Sequence, residues 1–312
     1  MKVQGINYNN LKTENNIFLA PIAGYTDYAF RNLLLDLGIG LSFTELVSAK
    51  GIVYKNKGNA NLLYSGNDYD KTAVQIFGSE PYFMRKACES EELSPFSVVD
   101  INMGCPVPKI YKNGEGSALL KDIMLAESIV KECVKSGKII TIKIRTGMVV
   151  GDDIASEYAK MAEQSGASLI TIHGRVREQY YSGEPDFNAI EKAKKSVGIP
   201  VIANGGIFTV QDADNMIDKT GADGVMLARG AIANPFLVCE LLGKEKPYTL
   251  KEFMLKHVKL RREIMNDKRA SIEFRKFIPY YFKGMTDVKE LKLKLLNAED
   301  TDSILEILDK NL

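Results

Sequence analysis

The chain has 312 residues, of which 45% are apolar and 26% charged, and its formal net charge is only +1. This profile is typical of an ordinary soluble protein with a substantial core, built as one large domain followed by a small one. No apolar run approaches the ~18 residues that cross a bilayer, and residues 1–16 lack the apolar core of a signal peptide, so we expect no membrane anchor and no leader.

Eight short apolar, β-branched runs follow one another along the first part of the chain, and segments with helical periodicity separate them. Such nearly continuous apolar runs are typical of parallel strands covered on both faces. We predict strands at 17–21, 41–46, 72–78, 98–104, 139–145, 169–174, 200–206 and 224–230, and helices at 27–36, 81–93, 118–136, 153–165, 186–196, 209–219 and 231–242. This alternation predicts an α/β fold, a (β/α)8 TIM barrel, with an open doubly wound sheet as the rival.

The strand pattern ends near residue 250, and segments of helical character follow to the C-terminus. We therefore predict a barrel domain at 1–243 and a small all-helical C-terminal domain at 244–312. Residues 244–283 carry twelve Lys or Arg against five Asp or Glu, whereas the chain on either side is net acidic. One stretch of this otherwise mildly acidic chain is therefore strongly basic.

The four cysteines show no paired spacing, which argues against a disulfide framework and against a zinc site. They fit free thiols in a reducing cytoplasm. We expect Cys88, Cys133 and Cys239 to be small buried side chains of helices. Cys105 is different, because it stands where a predicted strand turns into a loop that contains Gly114 and Gly116.

In a barrel of this kind, functional side chains lie at the carboxyl ends of the strands and in the loops that follow them. This rule converts the predicted strands into candidate site residues. In chain order they are Pro21, Ile22, Ala23, Glu45, Gln75, Asn102, Cys105, Lys143, Arg145, His173, Arg175, Asn204, Gly205, Gly206, Ala228, Arg229 and Gly230.

Glycine-rich turns follow the last two predicted strands. In barrels, turns at these positions commonly form a phosphate site from backbone N–H groups and a helix N-terminus. Gly205, Gly206 and Gly230 would let the backbone approach an anion closely. Two ordinary tight turns are the simpler alternative.

Two titratable side chains stand on neighbouring predicted strands. Lys143 projects from an apolar strand, where an unpaired ammonium is costly, so it needs either a structural carboxylate or an electron-rich ligand. His173 ends the next strand, a position that favours a functional role. The second histidine, His257, lies in a basic helix, and we expect it at the surface.

The chain closely resembles the tRNA-dihydrouridine synthases. The resemblance rests on the segments LAPIAGYTDYAFR, DINMGCPVPKIYKNGEGSALL, TIKIRTGM, TIHGRVREQYYSGEPDF, VIANGGI and DGVMLARGAIANPF, which cover nearly all of residues 17–237 in order. It implies an enzyme that contains FMN and uses NADPH to reduce the C5–C6 double bond of particular uridines in tRNA. The basic helical C-terminus also fits the layout of that family.

The resemblance also implies roles for individual residues. Cys105 is the expected proton donor, Asn102 the expected contact to the uracil edge, and Arg145 and Arg175 the expected clamps for substrate phosphate or base. The residues expected to bind FMN are Pro21, Ile22, Ala23, Gln75, Lys143, His173, Asn204, Gly205, Gly206, Ala228 and Arg229. This chain departs from the family pattern at Ile22, Gly206 and Ala228, where the family usually has Met, Asp and Gly.

The chemistry suits these residue types. Reduction of uracil needs a hydride at C6, which the cofactor carries, and a proton at C5 from an acid on the other face of the ring. An unperturbed thiol, with a pKa of about 8.5, is mostly protonated at neutral pH, so Cys105 can serve as that acid. The ammonium of Lys143 would stabilise negative charge on the reduced cofactor.

A uridine inside folded tRNA must flip out of its stack to reach a site in the barrel mouth, which costs a few kcal/mol. Contacts to the tRNA body must offset that cost, and the basic stretch 244–283 is their expected source. We expect Lys259, Arg262 and Arg275 to contact tRNA phosphates. The expected protein is a cytoplasmic monomer without a metal.

Three other functions fit parts of the pattern. A flavin barrel that reduces a free pyrimidine, similar to the dihydroorotate dehydrogenases, shares the fold and the lysine but needs no basic appendage. A Schiff-base aldolase would use Lys143 as its nucleophile, but would leave Cys105 without a role. A non-catalytic RNA-binding module would not need the combination of Cys105, Lys143 and His173.

Overall fold

A computed structural model describes all 312 residues and contains a ring of parallel strands. The strands are β1 (Asn7–Tyr8), β2 (Leu11–Lys12), β3 (Ile17–Leu19), β4 (Ser42–Phe43), β5 (Val47–Ser48), β6 (Thr72–Phe77), β7 (Val98–Met103), β8 (Ile139–Arg145), β9 (Leu169–His173), β10 (Val201–Asn204) and β11 (Gly224–Leu227). The hydrogen-bonded order is β3-β11-β10-β9-β8-β7-β6-β4, and β5 also pairs with β6. The Leu19 N–H donates to the Leu41 carbonyl (2.9 Å), which joins β3 to the segment that leads into β4.

The predicted barrel is therefore confirmed, and the open doubly wound sheet is excluded. The helices around and after it are α1 (Tyr28–Asp36), α2 (Ala49–Val53), α3 (Ala60–Leu63), α4 (Pro81–Cys88), α5 (Pro108–Lys112), α6 (Ile123–Val134), α7 (Ala155–Gln164), α8 (Phe187–Ser196), α9 (Val210–Thr220), α10 (Arg229–Ala233), α11 (Leu237–Leu242), α12 (Leu250–Ile264), α13 (Asp267–Arg275), α14 (Ile278–Tyr281), α15 (Lys289–Asn297) and α16 (Thr301–Asn311). Short 3₁₀ turns lie at Lys57–Asn59, Tyr69–Lys71, Glu91–Leu93, Gly116–Lys121 and Arg177–Gln179.

Two predicted helices are broken for local reasons, and one hairpin is additional to the prediction. The expected helix at 118–136 is a 3₁₀ turn followed by α6, because the Asp122 carboxylate accepts from the Leu125 N–H and starts a new helix. The expected helix at 231–242 is split into α10 and α11 at Pro235, whose ring cannot continue a helix. The β1–β2 hairpin was not predicted, because its strands are only two residues long.

Strand alternation divides the apolar residues into two clusters. One fills the barrel interior and includes Phe18, Phe43 and Met226, together with Ile6 and Leu11 of the hairpin segment. The hairpin therefore packs against the barrel interior. The other cluster contains 70 buried residues between the strands and the helices.

The larger cluster extends from the barrel into the C-terminal helices. Helix α12 packs on α1 and α16, and Phe274 and Phe277 lie in the same cluster as Phe30 of α1. Gly243, with φ of +63°, ends α11 at the predicted domain boundary. The helical region is thus anchored on the barrel by a shared apolar core.

The expectation that His257 lies at the surface is wrong. Its exposed fraction is 0%, its ring packs against Phe277 and Phe274, and its Nδ1 lies 2.8 Å from the Tyr281 hydroxyl. The Arg261 Nε donates to its Nε2 at 3.0 Å. Lys256, Lys259 and Arg262 lie on the exposed face of α12, whereas His257 and Arg261 are buried on the face that packs against α1. No helix in the structure has the length and apolar character needed to cross a membrane.

Candidate active site

A cavity of about 1290 Å³ opens at the carboxyl ends of the barrel strands. Every residue predicted to bind the cofactor lines it: Pro21, Ile22, Ala23, Gln75, Lys143, His173, Asn204, Gly205, Gly206, Ala228 and Arg229. Asn102, Cys105, Arg145 and Arg175 line it as well. Residues as far apart in the chain as Pro21 and Arg229 therefore meet in one place, as the rule for barrels requires.

Three predicted tRNA contacts lie outside this cavity, on the C-terminal helices. Lys259 is exposed on α12. Arg262 pairs with the Asp302 carboxylate (2.6 Å), and the Arg275 guanidinium donates to the Ala298 carbonyl just after α15. Arg275 therefore joins two helices of the C-terminal region, whereas Lys259 points to solvent.

The cavity wall also contains residues that the sequence reasoning missed. They include Lys109, Tyr181, Phe208 and Tyr280. Tyr181 and Phe208 follow the sixth and seventh barrel strands, so the same positional rule could have identified them. Tyr280 could not have been found in this way, because it comes from α14 of the helical region.

A chain of hydrogen bonds runs beneath the cavity from Asp100 to Cys105. The Asp100 carboxylate accepts from Gln75 Nε2 (2.7 Å) and from Thr141 Oγ1 (2.6 Å). Gln75 Oε1 accepts from Asn102 Nδ2 (2.8 Å), and Asn102 Oδ1 accepts from the Cys105 N–H (2.9 Å). Burial raises the pKa of Asp100 to about 6, against the two hydrogen bonds that lower it, so the group is ionised at neutral pH.

The Cys105 side chain is held at the edge of the cavity by the glycine loop. The Ser117 N–H donates to the Cys105 carbonyl (3.1 Å), and Gly116, at φ +61°, lies so close that a Cβ would be 3.1 Å from that of Cys105. Burial raises the pKa of the Cys105 thiol, and the nearby Arg145 opposes this only in part. The thiol is therefore protonated at neutral pH, as a proton donor requires.

Lys143 has a polar partner but no carboxylate partner. Its ammonium donates to Asn204 Oδ1 (2.9 Å), and Asn204 Nδ2 donates to the Met226 carbonyl (2.8 Å). Burial, followed by the positive charge of Arg145, lowers the pKa of Lys143 to about 7. Of the two predicted partners, the structural carboxylate does not form a salt bridge with Lys143, and the electron-rich ligand stays a prediction.

His173 is a neutral imidazole in this site. Burial holds its pKa well below the usual range, and the positive charges of Lys143 and Arg145 act in the same direction. Its Nε2 lies 3.3 Å from the Arg175 guanidinium. His173 can therefore take part in hydrogen bonds with a ligand, but it does not carry charge at neutral pH.

The guanidinium groups of Arg145 and Arg175 both bind the loop that follows β9. Arg145 donates to the carbonyls of Val176 (3.1 Å) and Tyr180 (2.9 Å). Arg175 donates to the Gly183 carbonyl (2.6 Å). These two side chains hold the loop that carries Tyr181, in addition to lining the cavity.

The turns after β10 and β11 present unpaired donors. Gly205 and Gly206 have φ of +121° and +71°, a region that favours glycine. The backbone N–H groups of Gly205, Gly206, Ala228 and Arg229 donate to no protein acceptor, and all four residues line the cavity. Together with the Arg229 guanidinium, this donor set fits a phosphorylated cofactor.

Fold and site together define a barrel whose cavity places unpaired backbone N–H groups and cationic side chains beside a protonated cysteine. A sequence model of the family described as dihydrouridine synthase matches residues 18–312. The chain therefore belongs to the dihydrouridine synthase family of flavin-dependent oxidoreductases. That membership excludes the aldolase and the purely non-catalytic alternatives.

Named relatives agree with this assignment. The "tRNA-dihydrouridine synthase B" of Pasteurella multocida is 35% identical over 282 residues, which is 87% of this chain and 85% of that protein. The protein of the same name from Proteus vulgaris is 32% identical over 306 residues, 95% of each chain. A "probable tRNA-dihydrouridine synthase" of Rickettsia bellii is 33% identical over 298 residues, 92% of this chain and 91% of that one.

Solved structures share the fold at low identity. A histamine dehydrogenase from Rhizobium gives a TM-score of 0.61 at 12% identity, covering 82% of this chain and 50% of that chain. A morphinone reductase mutant in complex with tetrahydroNAD gives 0.58 at 12% identity, covering 77% of this chain and 90% of that chain. The chain thus spans half the length of the histamine dehydrogenase, and both likenesses concern the barrel fold.

Proposed function

We propose that this chain is a tRNA-dihydrouridine synthase that binds FMN, is reduced by NADPH, and saturates the C5–C6 double bond of uridines in tRNA. The observation that carries the proposal is the position of a protonated thiol, Cys105, on the wall of the cavity that also contains Lys143 and the unpaired N–H groups of the glycine turns. The lysine and the turns suit the cofactor, and the thiol suits the substrate.

The cavity is large enough to hold a cofactor and a substrate base together. Sites for single small ligands usually measure about 300–1,000 Å³. The volume of about 1290 Å³ leaves room for a base beside a cofactor. The turns at Gly205 and Ala228 would hold the cofactor phosphate, and Lys143 and Gln75 would lie against its ring system.

When bound and reduced by NADPH, the flavin would supply the hydride that C6 of uracil receives. The Cys105 S–H bond breaks as a C5–H bond forms, and the resulting thiolate takes a proton back from solvent. The raised pKa of Cys105 favours this direction of transfer, because the thiol holds its proton until the C5 carbanion develops. Asn102 would orient the uracil edge from the same wall of the cavity.

The basic helical region would dock the body of the tRNA, with 1–243 as the catalytic unit and 244–312 as the docking unit. The second half of the basic stretch lies at the cavity mouth: Tyr280 lines the cavity, and the Lys283 ammonium lies 5.9 Å from the centre of the Phe208 ring. Lys256, in the first half, instead lies over Tyr248, away from the mouth. Residues nearest the mouth are best placed to receive the strand that carries the flipped uridine.

The decisive experiment is an in vitro reaction with purified protein, FMN, NADPH and an unmodified tRNA transcript. We expect dihydrouridine in the digested tRNA by mass spectrometry and a yellow protein that releases FMN on heating. Free uridine and orotate in parallel reactions should remain unchanged. Reduction of a free pyrimidine without reduction of tRNA, or a colourless protein that cannot be reconstituted with FMN, would overturn the proposal.

A further inference from the structure

Asp100 is a buried charged residue that touches neither the cavity nor any cation. Its exposed fraction is 0%, and its strand β7 lies between β6 and β8. Gln75 and Thr141 are its direct register partners on those two strands, and both donate hydrogen bonds to its carboxylate. A buried carboxylate is costly, so its placement beneath the site calls for a purpose.

The carboxylate gives the hydrogen-bond chain a single direction. An ionised carboxylate only accepts hydrogen bonds, whereas a carboxamide both donates and accepts. Gln75 must therefore turn its nitrogen toward Asp100, which leaves Gln75 Oε1 facing Asn102. Asn102 must then turn its nitrogen toward Gln75 (2.8 Å), which leaves Asn102 Oδ1 facing the main chain of the next loop.

That last oxygen holds the loop of Cys105. Asn102 Oδ1 accepts from the N–H groups of Gly104 (3.2 Å) and Cys105 (2.9 Å). If the two amides were reversed, the Asn102 nitrogen would face these two N–H groups, and three donors would meet without an acceptor. Only one orientation of the chain is therefore compatible with the observed loop.

We propose that Asp100 is a positioning residue for Cys105: its acceptor-only carboxylate orients Gln75 and Asn102 so that Asn102 anchors the main chain of Cys105 at a fixed depth. The inference rests on the proposed function, in which Cys105 is the proton donor. A displacement of about 1 Å at a reacting group can lower a rate by about 10²-fold, so this anchoring bears directly on turnover.

The first test compares Asp100→Asn with Thr141→Val in the flavin-loaded enzyme. Asp100→Asn allows both directions of the chain, whereas Thr141→Val, assayed at a pH well above the pKa of Asp100, removes the other hydrogen bond to Asp100 and leaves the direction intact. We expect Asp100→Asn to lower kcat on tRNA by roughly 10- to 100-fold with an unchanged KM for tRNA, and Thr141→Val to leave kcat within about twofold. Equal kcat losses in the two variants would reduce Asp100 to a packing role and overturn the proposal.

The second test needs no turnover. Cys88, Cys133 and Cys239 are buried, so alkylation of the folded protein by iodoacetamide reports on Cys105, identified by peptide mass spectrometry. Asp100→Asn should change the alkylation rate of Cys105 at fixed pH at least threefold, and Thr141→Val should not. An unchanged rate in Asp100→Asn would overturn the proposal even if Cys105 is the proton donor.

A double variant that exchanges the side-chain types of Asp100 and Asn102 serves as the rescue experiment. Asn102→Asp alone would place a carboxylate at each end of the Gln75 amide, which has only one nitrogen to donate. In the double variant with Asp100→Asn, Gln75 can turn round, donate to the new carboxylate and accept from the new carboxamide, so every group is paired again. We expect the double variant to unfold at a higher temperature than Asn102→Asp and to recover the wild-type alkylation rate more closely. A double variant with the same unfolding temperature and the same Cys105 alkylation rate as Asn102→Asp would contradict the positioning role of Asp100. The proposed function is tested separately by Cys105→Ala.

Discussion

The ammonium of Lys143 donates a 2.9 Å hydrogen bond to the side-chain oxygen of Asn204, and this neutral amide is its hydrogen-bond partner in place of a carboxylate. Burial, followed by the positive charge of Arg145, disfavours the charged form of this lysine and lowers its pKa to about 7. An anionic ligand in the cavity would supply the missing counter-charge. The arrangement keeps the lysine ready for such a ligand.

The lowered pKa of Lys143 predicts a pH-dependent stability of the flavin-free protein. Between pH 7 and about 10.4 the unfolded chain holds a proton on this lysine that the folded chain has lost, so the free energy of unfolding rises with pH across that window. Lys143→Met should lack this contribution. Denaturant melts of both proteins at pH 6.5 and pH 9 should show a smaller gain for the variant, and equal gains would refute the assigned pKa. The same variant should also slow reduction of the bound flavin by NADPH.

Cys105→Ala should separate the two halves of the reaction. The variant should keep its flavin and its reduction by NADPH, because the thiol serves only proton delivery, while tRNA turnover should fall by roughly 10²–10⁴-fold. Stopped-flow flavin absorbance measures the first half and dihydrouridine formation the second. Turnover of tRNA at the wild-type rate would remove Cys105 from the mechanism.

Gly205→Ala should prevent stable binding of the cofactor. The φ of +121° strains any residue with a Cβ, and the added methyl would lie 2.9 Å from the His173 ring. We expect the folded variant to retain less than about a tenth of the wild-type flavin, measured by absorbance after gel filtration. Gly221→Ala is the matched control, because Gly221 also has a positive φ (+65°) but nothing lies near its Cβ. Equal flavin content in the two variants would show that the turn after β10 is not a cofactor site.

Charge reversal at the mouth should weaken tRNA binding. The Lys276 ammonium lies beside Gly24, next to Ala23 of the cavity wall. Lys276→Glu together with Lys283→Glu should raise the KM for tRNA about tenfold or more and make binding less dependent on salt, since fewer counterions are released. Lys259→Glu with Arg262→Glu should act in the same direction. Lys294→Glu, on α15 outside the basic stretch, is the control and should bind as wild type. If both double variants bound tRNA with wild-type affinity at equal salt, the docking surface would have to be reassigned to the barrel rim near Arg177.

His257 predicts an acid-sensitive junction between the barrel and the helical region. Burial holds its pKa well below the usual value of about 6.5, so the unfolded chain binds a proton that the folded chain refuses, and stability falls as pH drops below that value. His257→Phe should lower the free energy of unfolding at pH 7.5 by about 1–3 kcal/mol, because Arg261 Nε and the Tyr281 hydroxyl lose their partner. Its stability should then depend less on pH between 6.5 and 5. An unchanged pH dependence in thermal melts would show that His257 does not titrate on unfolding.

The sequence by itself determined the barrel and most of its site. Parallel strands buried on both faces leave long apolar runs, and a barrel brings the carboxyl ends of all its strands to one mouth. The sequence alone therefore predicts that Lys143, His173 and the glycine turns share a cavity. The resemblance to the family could also be identified from the sequence alone, because motifs such as the one around Cys105 are contiguous in the chain.

Only the tertiary structure decided how these groups are paired. The contacts of Asp100 with Gln75 and Thr141 join three different strands, and the direction of that hydrogen-bond chain has no signature in local sequence. His257 looked like a surface residue because its neighbours in the chain are basic, yet helix packing against α1 buries it. Local periodicity specifies which face of an element is apolar, whereas the partner of a polar atom depends on the register between strands and the packing between helices.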